Sequence, residues 1–174
     1  MDLILLSGNS VQTKEWIESV ERELKDIFDS AYIHYYKHWR TEDKNIDLNY
    51  EVEKLSEYFK DKKNYMIFAK SAGAVLVLKG ISEGKISPKK CMFVGIPLSW
   101  CNKSGIPFNK WIKNYKIPTC FIQKTKDPYL NSNELKKILE ENGVESFKLI
   151  EISGEDHHYE NLKELKDLMK ELVK

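Results

Sequence analysis

Three short segments of this 174-residue chain carry the residue types that acyl transfer requires. In the first, Phe68-Ala69-Lys70-Ser71-Ala72-Gly73-Ala74-Val75, the apolar run Tyr65 to Phe68 stops at a serine between small residues, and a second apolar run begins at Ala74. The pattern reads as strand, tight turn and buried helix with Ser71 at the apex, where strand and helix nearly collide and only small neighbours fit. The second segment places Thr125, Asp127 and Pro128 after the run Thr119 to Gln123; the third places Gly154, Asp156, His157 and His158 after Phe147 to Ile152. A serine hydroxyl is barely ionised at neutral pH and needs an adjacent base. Histidine titrates near neutrality and suits that role. A carboxylate on its far ring nitrogen fixes the tautomer and stabilises the imidazolium. The oxyanion of a tetrahedral intermediate needs backbone N–H donors, for which Ala72, opening the helix, and Asn9, in the first loop, are the candidates.

Each signal has an ordinary reading as well. Serines often sit at strand-to-helix turns, Asp-Pro is a common turn signal, and Asp156 is a candidate N-cap for the last helix. Either His157 or His158 can be the base on residue type alone. Asp156 is a poorer orienting acid than Asp127, because a side chain next in sequence rarely reaches its neighbour's far ring nitrogen.

The elements that must position these groups follow from hydrophobic periodicity. Strand-length apolar runs are Leu3–Leu6, Ala31–Tyr35, Tyr65–Phe68, Cys91–Ile96, Thr119–Gln123 and Phe147–Ile152. Between them lie helical stripes: Trp16, Ile17, Val20, Leu24, Ile27 and Phe28; Leu48, Val52, Leu55 and Phe59; the nearly all-apolar Ala72–Ile81; Leu135, Ile138 and Leu139, stopped by Asn142-Gly143; and Leu162, Leu165, Leu168 and Leu172. The longest connection, Pro97 to Ile117, has room for a short helix near Trp111 but not for a lid domain. Strands alternating with helices predict an α/β fold, a doubly wound, six-stranded, mostly parallel sheet with helices on both faces, as a single domain over residues 1–174. Sites in such sheets form beyond the carboxyl ends of the strands. Serine, aspartate and histidine appear at three of those ends. His38, Trp39, Trp100 and the second histidine, His158, lie on the same rim as candidate substrate contacts, with the alternative that Trp39 packs its loop and His38 is solvated. Lys70 is expected to point away from the site as a structural or solvent-facing residue.

Taken together, these words resemble a small α/β-hydrolase-fold serine hydrolase over nearly the whole chain. Leu5-Leu6-Ser7-Gly8-Asn9 resembles the family's strand and oxyanion loop, and Ala69-Lys70-Ser71-Ala72-Gly73 its G-x-S-x-G nucleophile elbow. The stretch Ile117 to Pro128 resembles the strand and loop that carry the acid, and Gly154-Glu155-Asp156-His157 the G-x-D-H that presents the histidine. The resemblance implies Ser71 as nucleophile, Asp127 as acid and His157 rather than His158 as base, with Asn9 and Ala72 N–H groups as oxyanion hole. It implies a carboxylesterase-like activity on a small ester, thioester or amide, with no metal and no organic cofactor. The chain departs from the pattern at Ala69, in place of the first elbow glycine, and at Ser7, in place of the usual histidine. It also begins at what is usually the family's third strand. Without the first two strands the implied order is 2-1-3-4-5-6, in a minimal, lidless version. A catalytically inactive protein-binding module on the same fold is the alternative. A flavodoxin-like binder is disfavoured because Ser7 to Thr13 contains one glycine and makes a poor phosphate cradle.

Composition narrows the classes further. A net charge of +1, with both signs interspersed, gives no footprint for nucleic acid. No apolar run reaches the ~18 residues of a membrane span. Met1-Asp2-Leu3 lacks the positive stretch of a secretory leader. Cys91, Cys101 and Cys120 follow no C-x-x-C spacing, which argues against zinc and a disulfide framework. Cys91 and Cys120 sit in apolar runs and are expected as small buried hydrophobes. The cytoplasm is the expected compartment.

Overall fold

The computed structural model describes residues 1–41 and 43–174. Six strands, β1 (Asp2–Leu6), β2 (Ser30–Ile33), β3 (Tyr65–Lys70), β4 (Lys90–Val94), β5 (Thr119–Lys124) and β6 (Phe147–Ile152), form one sheet. Its order is β2-β1-β3-β4-β5-β6, the order the resemblance implies. All five pairings are parallel. The helices are α1 (Lys14–Leu24), α2 (His38–Thr41), α3 (Leu48–Phe59), α4 (Ala72–Ser82), α5 (Leu98–Lys103), α6 (Phe108–Ile112), α7 (Ser132–Glu141) and α8 (Leu162–Val173).

The two-residue alternation of the strands divides the core into two layers. Leu3, Leu5, Met66, Phe68, Met92, Val94 and Ile122 face α1 and α8, whose Ile17, Val20, Leu24, Leu165 and Met169 are buried against them. Ile4, Leu6, Ile67, Ala69, Cys91, Phe93 and Phe121 face the other way, toward α3, α4, α6 and α7. Helix α4 is buried over most of its length, which is why its sequence lacks a polar face. The stripe through Phe28 ends earlier than its period suggests: α1 stops at Leu24 and passes into a single 3-10 turn, Lys25–Ile27. Pro118 directly precedes β5, where the missing N–H costs the ladder nothing, although β5 lies inside the sheet rather than at its edge. The connection from Pro97 to Ile117 folds into α5 and α6, the second of them around Trp111. All three cysteines are free and buried. Burial pushes the Cys91 and Cys101 thiols up to about 12. Among the described residues no helix is long and apolar enough to cross a membrane.

Candidate active site

Ser71 lies between the end of β3 and the first residue of α4, at φ 53° and ψ −121°. This is a region an L-residue adopts only under compulsion from its surroundings. The compulsion is visible on both sides. Ser71 N–H donates to Val94 O at 2.9 Å, and Gly73 N–H donates to Ser7 O at 3.0 Å, so the turn is tied to β4 and to the first loop at once. A Cβ on Gly73 would stand 2.6 Å from Ser7 O and 2.9 Å from the Tyr36 hydroxyl. The elbow's last glycine is therefore required by contact with the neighbouring loop, and hydrogen is the only substituent that fits.

Asp127 is reached three residues after β5 and is 4% exposed. Its Oδ1 accepts from Tyr129 N–H at 2.9 Å. Its Oδ2 accepts from His157 at 2.7 Å, through Nδ1, and from the Tyr159 hydroxyl at 2.9 Å. The other ring nitrogen of His157, Nε2, lies 2.9 Å from Ser71 Oγ. A carboxylate only accepts, so Nδ1 carries the ring proton and Nε2 presents its lone pair to the serine hydroxyl. The tautomer is the one a general base needs. Tyr159 is itself fixed, because its oxygen accepts from Lys124 N–H at 3.0 Å. Burial and the Asp127 charge push its phenol far above the usual range, so it remains a donor to the carboxylate. On the opposite side Gly95, at φ 65°, leaves room for the imidazole: a Cβ there would stand 2.9 Å from His157 Cε1 and 2.7 Å from Tyr159 Cε2.

Of the two candidate oxyanion donors, Ala72 N–H follows the serine directly and Asn9 N–H belongs to the first loop. A Cβ on Gly8 would lie 3.7 Å from Ser71 Cβ, so the first loop runs directly beside the nucleophile candidate. Among the described residues neither Asn9 N–H nor Ala72 N–H donates to a protein acceptor. Ala72 N–H is one of the unpaired donors at a helix start. Ser7, standing where the resemblance leads one to expect histidine, is fully buried and donates from Oγ to Thr13 O at 3.0 Å.

The structure thus brings Ser71, Asp127 and His157 into one hydrogen-bonded relay, with Ala72 next to Ser71 in the chain and the Gly8 backbone beside it. It treats the rim residues differently. His158 is exposed, in a cleft with Lys124, Asp156 and Asn161 on the side of α8. Asp156 neither orients His157 nor caps α8. Its Oδ1 pairs with Lys124 Nζ at 2.7 Å and accepts from His158 N–H at 2.6 Å, while Asn161 is the N-cap of α8. The Lys124 ammonium holds the Asp156 carboxyl below its ordinary value. Trp100 lines a cavity of about 380 Å³ with Ile46, Leu48, Ile106 and Trp111. His38 is buried rather than solvated, and its Nε2 contacts Asn9 O at 2.6 Å. Trp39 donates from Nε1 to the same oxygen at 3.0 Å. His38 Nε2 and Trp39 Nε1 are thus engaged by the first loop, while the Trp39 ring lines a groove of about 680 Å³ with Val11, Tyr35 and Arg40. Lys70 does point away from Ser71, but it is 7% exposed rather than solvated, with its ammonium 5.2 Å from the centre of the Trp16 ring.

Tyr159, Gly95 and Tyr129 escape the sequence reading. Tyr159 stands two residues past His157, in a segment where a tyrosine carries no distinguishing pattern. The signal that was available is positional: Gly95-Ile96-Pro97 follows a strand end, and a glycine there marks a close approach.

No family model matches the chain, and no curated protein sequence matches it. Solved structures do. Est1E from Butyrivibrio proteoclasticus, in a structure with bound ferulic acid, superimposes with a TM-score of 0.74 at 13% identity, over 99% of this chain and 87% of that one. A monoacylglycerol lipase from Paleococcus ferrophilus gives 0.67 at 12% identity, over 99% and 93%. An extracellular α/β-hydrolase from a Paenibacillus species gives 0.67 at 15% identity, over 99% and 97%. At these identities the likeness is one of fold.

Proposed function

We propose that this chain, which has the α/β-hydrolase fold in a six-stranded form, is a serine hydrolase that cleaves a small ester or thioester through an acyl-enzyme. The observation that carries the reading is the unbroken relay from Ser71 Oγ to His157 at 2.9 Å and from His157 to Asp127 at 2.7 Å. In the first half-reaction Ser71 Oγ bonds to the substrate carbonyl carbon while its proton passes to His157 Nε2. Asp127, held by Tyr159 and by Tyr129 N–H, stabilises the resulting imidazolium and keeps the ring in register. The carbonyl oxygen, now an oxyanion, lies between the Asn9 and Ala72 N–H groups. Collapse breaks the bond to the leaving group, which takes the proton from His157 Nε2. Water then gives a proton to His157, attacks the acyl carbon and regenerates Ser71, releasing the acid. Two of the similar structures carry names that speak of ester chemistry, a monoacylglycerol lipase and an Est1E with bound ferulic acid, and this agrees with the reading.

The test is intact-protein mass after treatment with a fluorophosphonate. Wild type is expected to gain one adduct, Ser71→Ala and His157→Ala none, and His158→Ala one. Asp127→Asn is expected to label slowly, because the amide no longer selects the tautomer. A folded wild type without an adduct would overturn the reading in favour of a binding module.

A further inference from the structure

We infer that His38 and Trp39 are positioning residues that preset the Asn9 N–H as an oxyanion donor, gripping the first loop from behind. The inference rests on the hydrolase reading above for its consequence in catalysis, but its geometry stands apart from it. Asn9 has four polar groups besides its place in the chain: a backbone C=O, a backbone N–H, and a side-chain oxygen and nitrogen. Three are bonded to protein. Oδ1 accepts from Ile46 N–H at 2.8 Å, and Nδ2 donates to Lys44 O at 2.9 Å. The backbone oxygen accepts two bonds at once, from His38 Nε2 at 2.6 Å and from Trp39 Nε1 at 3.0 Å. The N–H is the group left over, and it lies in the loop that runs beside Ser71.

The rest of the loop is held in the same manner. Ser7 O accepts from the Tyr36 hydroxyl at 2.8 Å as well as from Gly73 N–H. The Thr13 hydroxyl lies 2.6 Å from Ser10 O and 3.3 Å from Gly8 O. Tyr36, His38 and Trp39 thus come from one short segment after β2 and seize the carbonyls on either side of the donor. That segment is itself anchored on α3. Glu51, 2% exposed, takes His34 Nε2 at 2.7 Å on one carboxylate oxygen and Lys37 N–H at 2.7 Å on the other.

The choice of histidine at position 38 supports a role beyond filling space. A carbonyl only accepts, so Nε2 carries the proton and Nδ1 is a bare lone pair. That Nδ1 is buried and, among the described residues, has no hydrogen-bond partner. An unpaired buried nitrogen costs stability that an apolar side chain of similar size would not. The ring stacks on Tyr36, with centroids 5.6 Å apart and planes at 19°, and a leucine would keep much of that contact. What histidine supplies in addition is the Nε2–H on Asn9 O. An oxyanion donor is effective because it needs no reorganisation at the moment of reaction, so fixing its carrier acts on the transition state and leaves ground-state binding alone.

The experiment compares wild type with His38→Leu/Trp39→Phe, which keeps two apolar side chains and deletes both donors, and with His38→Gln, whose amide nitrogen can restore one. Two readouts are taken: backbone 15N order parameters of Gly8 and Asn9, and kcat and KM on p-nitrophenyl acetate across pH. We expect the double variant to lose order at both amides and to lose about tenfold in kcat, a partial form of the ~100-fold or greater loss seen when an oxyanion donor is deleted. KM should stay within about twofold and the pH profile should not move, because the Ser71–His157–Asp127 relay is untouched. His38→Gln should recover most of both quantities. Unchanged order parameters in the double variant would overturn the grip whatever the activity, and an unchanged kcat in an active enzyme would overturn its catalytic meaning. A loosened loop in a protein whose wild type neither turns over nor labels would leave the grip standing and remove the hydrolase reading instead.

Discussion

Replacing Lys70 with methionine is expected to stabilise the protein at neutral pH. Lys70 ends β3, one residue before Ser71, with its side chain on the α1 face of the sheet over Trp16. Burial pulls its ammonium from the ordinary 10.5 down to about 8, with the Asp127 carboxylate working against that drop and Lys124 adding to it. The drop corresponds to about 3 kcal/mol at about 1.4 kcal/mol for each tenfold in the protonation constant. At pH 7 the lysine is charged in both folded and unfolded chains, so the folded state bears nearly all of that cost. Methionine fills the same space without it and forfeits the cation over the indole, which contributes about 0.5–2 kcal/mol. The net gain at pH 7 should be about 1–2 kcal/mol. The pH dependence separates this cause from simple packing. Between pH 8 and 10.5 the unfolded lysine holds its proton while the folded one has released it, so wild-type stability gains in this window relative to the variant. The comparison must be between the two proteins, because the buried cysteines act in the opposite sense above pH 9, where their unfolded thiols ionise and the folded ones do not. Urea unfolding at pH 7 and pH 9.5 measures the difference. A variant less stable than wild type at pH 7, or a gap that does not close as the pH rises, would refute the argument.

Three further substitutions address the site. Ser71→Gly should raise stability by about 1 kcal/mol while abolishing fluorophosphonate labelling, since glycine relieves the φ of 53° at the elbow; thermal unfolding beside labelling reads both. Gly73→Ala should lower stability by about 1–3 kcal/mol, the usual cost of overpacking, because the new Cβ would lie 2.6 Å from Ser7 O; the thermal midpoint checks it. Tyr159→Phe should cost about 1–3 kcal/mol, since Lys124 N–H loses its acceptor and Asp127 a donor.

The legibility of this protein in its sequence follows the range of the forces involved. Strand runs and helical stripes are written locally, and the alternation of Leu3 and Leu5 against Ile4 and Leu6 already assigns the two faces of the sheet. Ser71, Asp127 and His157 are legible as candidates because each lies within five residues of a strand's carboxyl end, where topology leaves little freedom. His38, Trp39 and Tyr159 are not, because what they do is set by side-chain reach across loops. His38 and Trp39 bend back onto an oxygen 29 and 30 positions away, and no spacing encodes such a contact. The same holds for Lys70: a lysine before the elbow reads as structural or solvent-facing, and only the packing of α1 shows Trp16 laid over it.

The wholly parallel sheet bears on how the protein comes into being. No strand can pair with its sequence neighbour through a tight hairpin, so each rung waits for a crossover to be made. The nearest rungs in sequence join Met66 to Lys90, and the central pairing of β1 with β3 joins Asp2 to Tyr65. Such topologies fold slowly, since chain closure precedes the contacts that reward it. The strands that flank the nucleophile candidate must therefore wait for more than a third of the chain to leave the ribosome. The histidine arrives later still, 86 residues after the serine it contacts, so formation of the Ser71–His157 contact on a growing or refolding chain would report completion of the sheet.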